Sequence, residues 1–75
     1  LGDAYSIEEI ATPDDFVGKT LAELRLRNRF GVQVLGIRDA LTDRLDLNPG
    51  PQIRLKPSDA LLILGRNDEL RRLVE

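Results

Sequence analysis

The 75-residue chain has no cysteine, no histidine, no methionine and no tryptophan. Without cysteine there is no disulfide framework and no thiolate metal site. Without histidine the usual base at neutral pH and the commonest metal ligand are both missing. No serine or lysine has a base partner that the sequence makes visible, so the chain does not read as an enzyme. An excess of one charge is lacking too. Eleven basic and thirteen acidic residues give a net charge of −2, whereas a general surface for DNA or RNA needs a basic excess. No apolar run approaches the ~20 residues of a membrane span, and no signal peptide is visible. A chain that starts at Leu1 and contains no methionine is expected to be the C-terminal domain of a longer protein. Residues 1–75 suffice for one domain. So small a core is marginal alone, which favours association with another copy or with a parent chain.

The residues that are present fall into short elements. Residues 4–12 alternate imperfectly and predict a first strand, ended at Pro13, which has no amide for a continued ladder. Thr20-Leu21-Ala22-Glu23 has the spacing of a capping box and predicts a helix start. Leu21 and Leu24 share one face and Leu26 and Phe30 another, so the register predicts a kink or two short helices. Gly31 suits the left-handed position that closes a helix. Residues 32–38 predict a strand that is apolar on both faces, with Val34 and Gly36 on the parity of Arg38. A turn at 39–43 and a short strand at 45–48 follow. The segment Pro49-Gly50-Pro51 is rigid and extended. After a turn at Pro57-Ser58-Asp59, residues 60–64 read as a buried strand. Asn67 is expected to cap a last helix whose buried stripe is Leu70, Leu73 and Val74. The pattern is an α+β domain, an antiparallel β-sheet of about four strands with helices packed on one side, in the order β-α-β-β-β-α.

Several local patterns invite a chemical reading. Val17-Gly18-Lys19-Thr20 has the ending of a phosphate-binding loop, but the position five before Gly18 is Pro13 rather than glycine, and Thr20 serves as a cap. Glu8 and Glu9 are neighbours on a strand and cannot converge on one metal or proton. Arg25, Arg27 and Arg29 read as a polar helix face rather than a nucleic-acid patch. Arg38 admits two readings: a bidentate phosphate contact, with Gly36 allowing a close approach, or a surface arginine paired with Asp39.

The ordered set Val17-Gly18-Lys19-Thr20-Leu21, Phe30-Gly31-Val32, Leu35-Gly36-Ile37-Arg38, Pro49-Gly50-Pro51, Leu55-Lys56-Pro57-Ser58-Asp59 and Ala60 to Gly65 resembles the TrkA-C module, also called the RCK C-terminal domain. The resemblance runs from Tyr5 to Glu75. It departs at Ser58, where the family has glycine, and at 39–44, where the family often turns through one. The resemblance implies a cytosolic regulatory domain of a potassium or other cation channel or transporter, working at the inner face of the membrane as a homodimer beside its parent membrane protein. It implies no cofactor and no metal. It implies a possible ligand, cyclic di-AMP, held across the dimer interface. The residues it points to are Val34, Gly36, Arg38, Asn48, Pro49 and Pro51. In this reading Arg38 meets a phosphate and the prolines wall an adenine; in the bland one the prolines guard a sheet edge. The alternative is a dimerisation module of a transport protein that binds no ligand.

Overall fold

The most apolar segment of the chain becomes the middle of its sheet. A computed structural model describes residues 4–74; Glu75, the end of the resemblance, lies outside the described residues. The elements are β1 (Tyr5–Ala11), a 3₁₀ turn (Asp14–Phe16), α1 (Leu21–Leu24), α2 (Leu26–Phe30), β2 (Gln33–Asp39), β3 (Leu45–Leu47), β4 (Asp59–Arg66) and α3 (Asn67–Val74). All strand pairs are antiparallel and the spatial order is β1-β4-β2-β3. This is the expected α+β sheet with helices on one side.

Along β4 the side chains alternate between the two faces. Leu61 and Ile63 have no exposed surface and lie under the helices with Phe16, Leu24, Leu26 and Leu70. Ala60, Leu62 and Leu64, on the other face, are only half-buried. The pairing registers place Tyr5, Ile7, Leu45 and Leu47 on that same open face, and all four are exposed. Gly65 touches the core from β4; a Cβ there would lie 2.7 Å from Val32 Cγ1.

The helices are short because their ends are fixed by specific contacts. The Thr20 hydroxyl accepts from the Glu23 amide at 3.1 Å, and the Glu23 carboxylate accepts from the Thr20 amide at 2.8 Å, completing the expected capping box. Arg25 is left-handed (φ 49°, ψ 48°) and separates α1 from α2, and Gly31 (φ 72°) closes α2. The two departures from the family pattern are accommodated. The Lys56–Asp59 turn is closed by the Asp59 carboxylate, which accepts from the Lys56 amide at 2.8 Å, and Ser58 does not need a positive φ. In the 39–44 turn Asp43 adopts the left-handed conformation at φ 61°, one that aspartate tolerates better than most residues. One expectation is corrected. Val74 is 62% exposed, because the eight-residue α3 turns only Leu70 and Leu73 toward the sheet.

Ile63→Ala is expected to destabilise the domain by about 2–5 kcal/mol, through lost contact and a residual cavity. Gly65→Ala should cost about 1–3 kcal/mol by overpacking against Val32. Leu41→Ala, at a site 85% exposed, should stay within about 0.5 kcal/mol of the parent. Urea melts of the three variants check the ranking.

Candidate functional site

The first amides of an α-helix have no acceptor within it, and for α1 the proline segment supplies two. The Leu21 amide donates to the Ile53 carbonyl at 3.2 Å and the Ala22 amide to the Pro51 carbonyl at 2.8 Å. Proline lacks an amide but keeps its carbonyl, so Pro51 fills this role without loss. At the other end of the segment the Asn48 amide donates to the Leu35 carbonyl at 2.8 Å, with Asn48 itself left-handed at φ 55°. The segment is thereby tied to the start of α1 and to β2.

Between these ties lies a groove of about 500 Å³, within the usual size of a small-molecule site. Leu26, Val32 and Val34 form its apolar floor, and Pro49 and Pro51 stand at its side. Arg25, Arg27, Asn28 and Gln33 supply its polar atoms.

The six residues singled out in the sequence do not come together. Val34, Pro49 and Pro51 line the groove, and Asn48 adjoins Pro49. Gly36 and Arg38 do not line it. The reason is a bulge. Val34 pairs with Ile63 while Gly36 pairs with the next residue, Leu62, so Leu35 is extra in β2. The expected shared parity of Val34 and Arg38 is therefore incorrect. Val34 faces the helices with Ile63; Gly36 faces the open side, where a Cβ would meet Leu47 Cδ2 and the Asp46 carbonyl, each at 3.2 Å.

Arg38 is also engaged. Its Nε and Nη2 donate to the two oxygens of Glu9 at 2.7 and 2.8 Å, and its Nη1 to Asp43 at 3.2 Å. Its partners are Glu9 and Asp43, not Asp39. Arg38 sits opposite Ala60 in β4 and Ala60 opposite Ala11 in β1, and these small residues let the guanidinium reach Glu9 across the central strand. The hydrogen bonds from Arg38, with its charge, hold the Glu9 carboxyl below its ordinary range, and Glu9 in turn drives the Arg38 pKa upward. Asp39 instead accepts from the Leu41 amide at 2.9 Å and pairs with Lys56 at 3.4 Å. In the sequence Arg25 and Arg27 read as a polar helix face, and neither Asn28 nor Gln33 was singled out as a site residue; the signal for all four was the break between two short helices, which turns the polar face of α2 toward the proline segment.

The model of the TrkA-C domain family matches residues 6–75. The Ktr system potassium uptake protein A of Bacillus subtilis is 28% identical over 72 residues, which cover 96% of this chain and 32% of that protein. An uncharacterised transporter of Bacteroides thetaiotaomicron is 31% identical over 62 residues, 83% of this chain and 11% of the transporter. The chain thus spans a third or less of the curated relatives it matches here. Among solved structures, the RCK C domain of the potassium transport protein KtrA in complex with cyclic diadenosine monophosphate superposes with a TM-score of 0.84 at 26% identity, over 93% of this chain and 80% of that one.

The Glu9–Arg38 pair has a pH signature. The hydrogen bonds from Arg38 lower the Glu9 pKa in the folded chain, so its stabilising contribution is present above its unfolded pKa and is lost as pH falls through the folded value. The melting temperature of the parent should exceed that of Glu9→Gln by a constant margin down to about pH 5 and by a shrinking one below that. The margin should also narrow in high salt, since the pair is solvent-exposed. Thermal melts of both proteins from neutral to acid pH check this.

Proposed function

The chain belongs to the TrkA-C domain family, and on that premise we propose that it is the ligand-sensing, dimerising regulatory part of a potassium or other cation channel or transporter. It is one domain, residues 1–75, of a longer polypeptide and works on the cytosolic side of its membrane partner. Its ligand is cyclic di-AMP, bound between two copies. The observation that carries this reading is the groove: an apolar floor with a proline wall, held open by backbone hydrogen bonds before any ligand arrives, in a chain with 26% identity to a KtrA domain solved with that nucleotide. Val34, Pro49 and Pro51 receive an adenine, and Asn48 holds the proline segment in place. Gly36 and Arg38, on the open face, stay outside the site. A ligand with its own two-fold symmetry makes the same contacts to both copies of a two-fold dimer. Occupancy would therefore change how the copies sit against each other, which is a route from ligand to transport protein.

A second reading, a dimerisation module without a ligand, draws on the open sheet face. Tyr5, Ile7, Leu45 and Leu47 are exposed there. A second copy laid across that face would gain about 25 cal/mol per Å² of apolar area buried, before binding costs. This reading predicts that Leu47→Glu, at the open face, turns a dimer into a monomer with no dependence on nucleotide.

Titration calorimetry with cyclic di-AMP, paired with sedimentation, tests the first reading. It should give one nucleotide per two chains, a dimer at high micromolar concentration, and binding weakened a few-fold by Pro51→Ala. No heat and no thermal shift at millimolar nucleotide would transfer the case to the ligand-free dimer. A monomer with and without nucleotide would contradict both.

A further inference from the structure

We propose that the end of the domain formed by α2 and α3 docks on an anionic phospholipid surface, an inference that rests on the membrane-protein reading of its parent and on no nucleotide. The residues that carry it are Arg29, Arg71 and Arg72, none of which lines the groove. Helices α2 and α3 pack against each other, and Arg29 and Arg72 close on the Phe30 ring at 5.1 and 5.4 Å. Neutral acceptors hold them there. Arg29 Nη1 donates to the Leu24 carbonyl at 3.2 Å, and Arg72 Nη2 donates to the Arg29 carbonyl at 3.3 Å. Arg71 is exposed beside them. Among the described residues none of the three pairs with a carboxylate. The acids of α3 are engaged with Arg66, whose side chain meets Asp68 at 3.4 Å and whose amide donates to Glu69 at 3.3 Å. Other unpaired cations, such as Lys19 and Arg44, stand singly on separate loops. All three arginines lie in the last turn of a helix, where the macrodipole favours a cation. That accounts for the sign at each helix end, but not for two such ends sharing one ring with no counter-charge.

The charges of the domain are also sorted along its sheet. Strands β2 and β4 run from one end to the other, with Gln33 opposite Leu64 near the arginines and Asp39 opposite Asp59 at the far end. Asp14, Asp15, Asp39, Asp43 and Asp59 gather at that far end, where the Thr12 amide donates to the Asp59 carbonyl and the Asp43 amide to the Asp39 carbonyl. The eight residues of β4 separate the two poles by about 25 Å. This is about three Debye lengths at physiological salt, so the net charge of −2 does not cancel the basic end at a surface that it touches. The three guanidinium groups sit on the outer side of two helices. A fluid layer of headgroups needs no shape match to meet them, whereas a discrete anion would need a recess. Val74, exposed and three residues on from Arg71, adds an apolar side chain that the headgroup boundary can take up. A parent chain anchored in the membrane would supply a high effective concentration, so a weak contact suffices.

Vesicle flotation at about 0.1 M salt, where the Debye length is about 10 Å, tests this. The vesicles are equal parts phosphatidylglycerol and phosphatidylcholine, or phosphatidylcholine alone. The 75-residue chain should float with the first, stay in solution with the second, and lose its binding at about 1 M salt. Near an anionic leaflet each arginine is worth about fivefold in partitioning, so Arg71→Gln with Arg72→Gln should weaken binding about 25-fold. Lys19→Gln with Arg44→Gln removes the same charge elsewhere and should stay within about twofold of the parent. Arg71→Lys with Arg72→Lys should bind like the parent, because a lipid layer accepts any point charge, whereas a shaped carboxylate site on a protein needs the guanidinium fork. Thermal melts of all variants should lie close to the parent, as for other surface substitutions. A parent that ignores the anionic vesicles would overturn the proposal, and so would equal losses in the two glutamine doubles. Retention by duplex DNA through the same arginines, without vesicle binding, would overturn it in favour of nucleic acid. None of these failures touches the regulatory reading, which nucleotide calorimetry tests separately.

Discussion

The bulge at Leu35 decides which residues of β2 can meet a ligand and which cannot. In an unbroken strand Val34 and Gly36 would lie on one face. The extra residue puts Val34 beside Ile63, under the helices, and Gly36 beside Leu62, on the open face. On the other edge of β2 the Leu35 carbonyl accepts from the Asn48 amide, continuing the β2–β3 register, which fixes where the proline segment leaves the sheet. The bulge thus sets the floor of the groove and separates it from the ion pair of Arg38. Bulges commonly re-aim side chains next to binding sites in this way.

The remaining wall depends on a mutual need. A helix of four residues has no stability of its own, and a segment with two prolines has few amides to pair. Joined, the helix donates its first amides to the carbonyls of Ile53 and Pro51, while the Gly18 amide donates to the Leu55 carbonyl and Leu55 back to Lys19. Leu55 and Ile53 then pack into the core cluster. The groove is therefore ordered before binding, and a ligand entering it forfeits little chain entropy. The other side of the sheet follows different physics. Four antiparallel strands with helices on one face leave the second face largely apolar and, among the described residues, uncovered, with the Glu9–Arg38 bridge crossing it.

Much of this was legible in the residues, and what was hidden has a common cause. The capping box at Thr20, the break between two short helices, the left-handed Gly31 and the buried run of β4 are all local, and each appears as read. The family match confirms the ordered motifs on which the resemblance was drawn. The bulge has no local signature, because it arises from how β2 meets β4. The Glu9–Arg38 pair joins residues 29 apart in sequence, and only the β1-β4-β2 order brings them together. Parity counted along an unbroken strand put Arg38 on the face of Val34, and nearness in sequence offered Asp39 as its partner in one of the two readings. Arg25 and Arg27 looked like an ordinary polar face because the sequence does not say that α2 folds back toward the proline segment. Val74 fits a helical stripe, yet α3 has too few turns to bury it.

The central claim is that the ligand face is the helix side of the bulge. Nuclear magnetic resonance of the labelled domain during titration with cyclic di-AMP tests it most directly, because both faces are read at once. The account predicts shifts in the Val34 and Leu26 methyl groups and the Ala22 amide, with the Arg38 Nε–H resonance and its protection by Glu9 unchanged. Movement of Arg38 Nε–H, Leu47 and Leu62 with Val34 and Leu26 silent would place the ligand on the open face and contradict it.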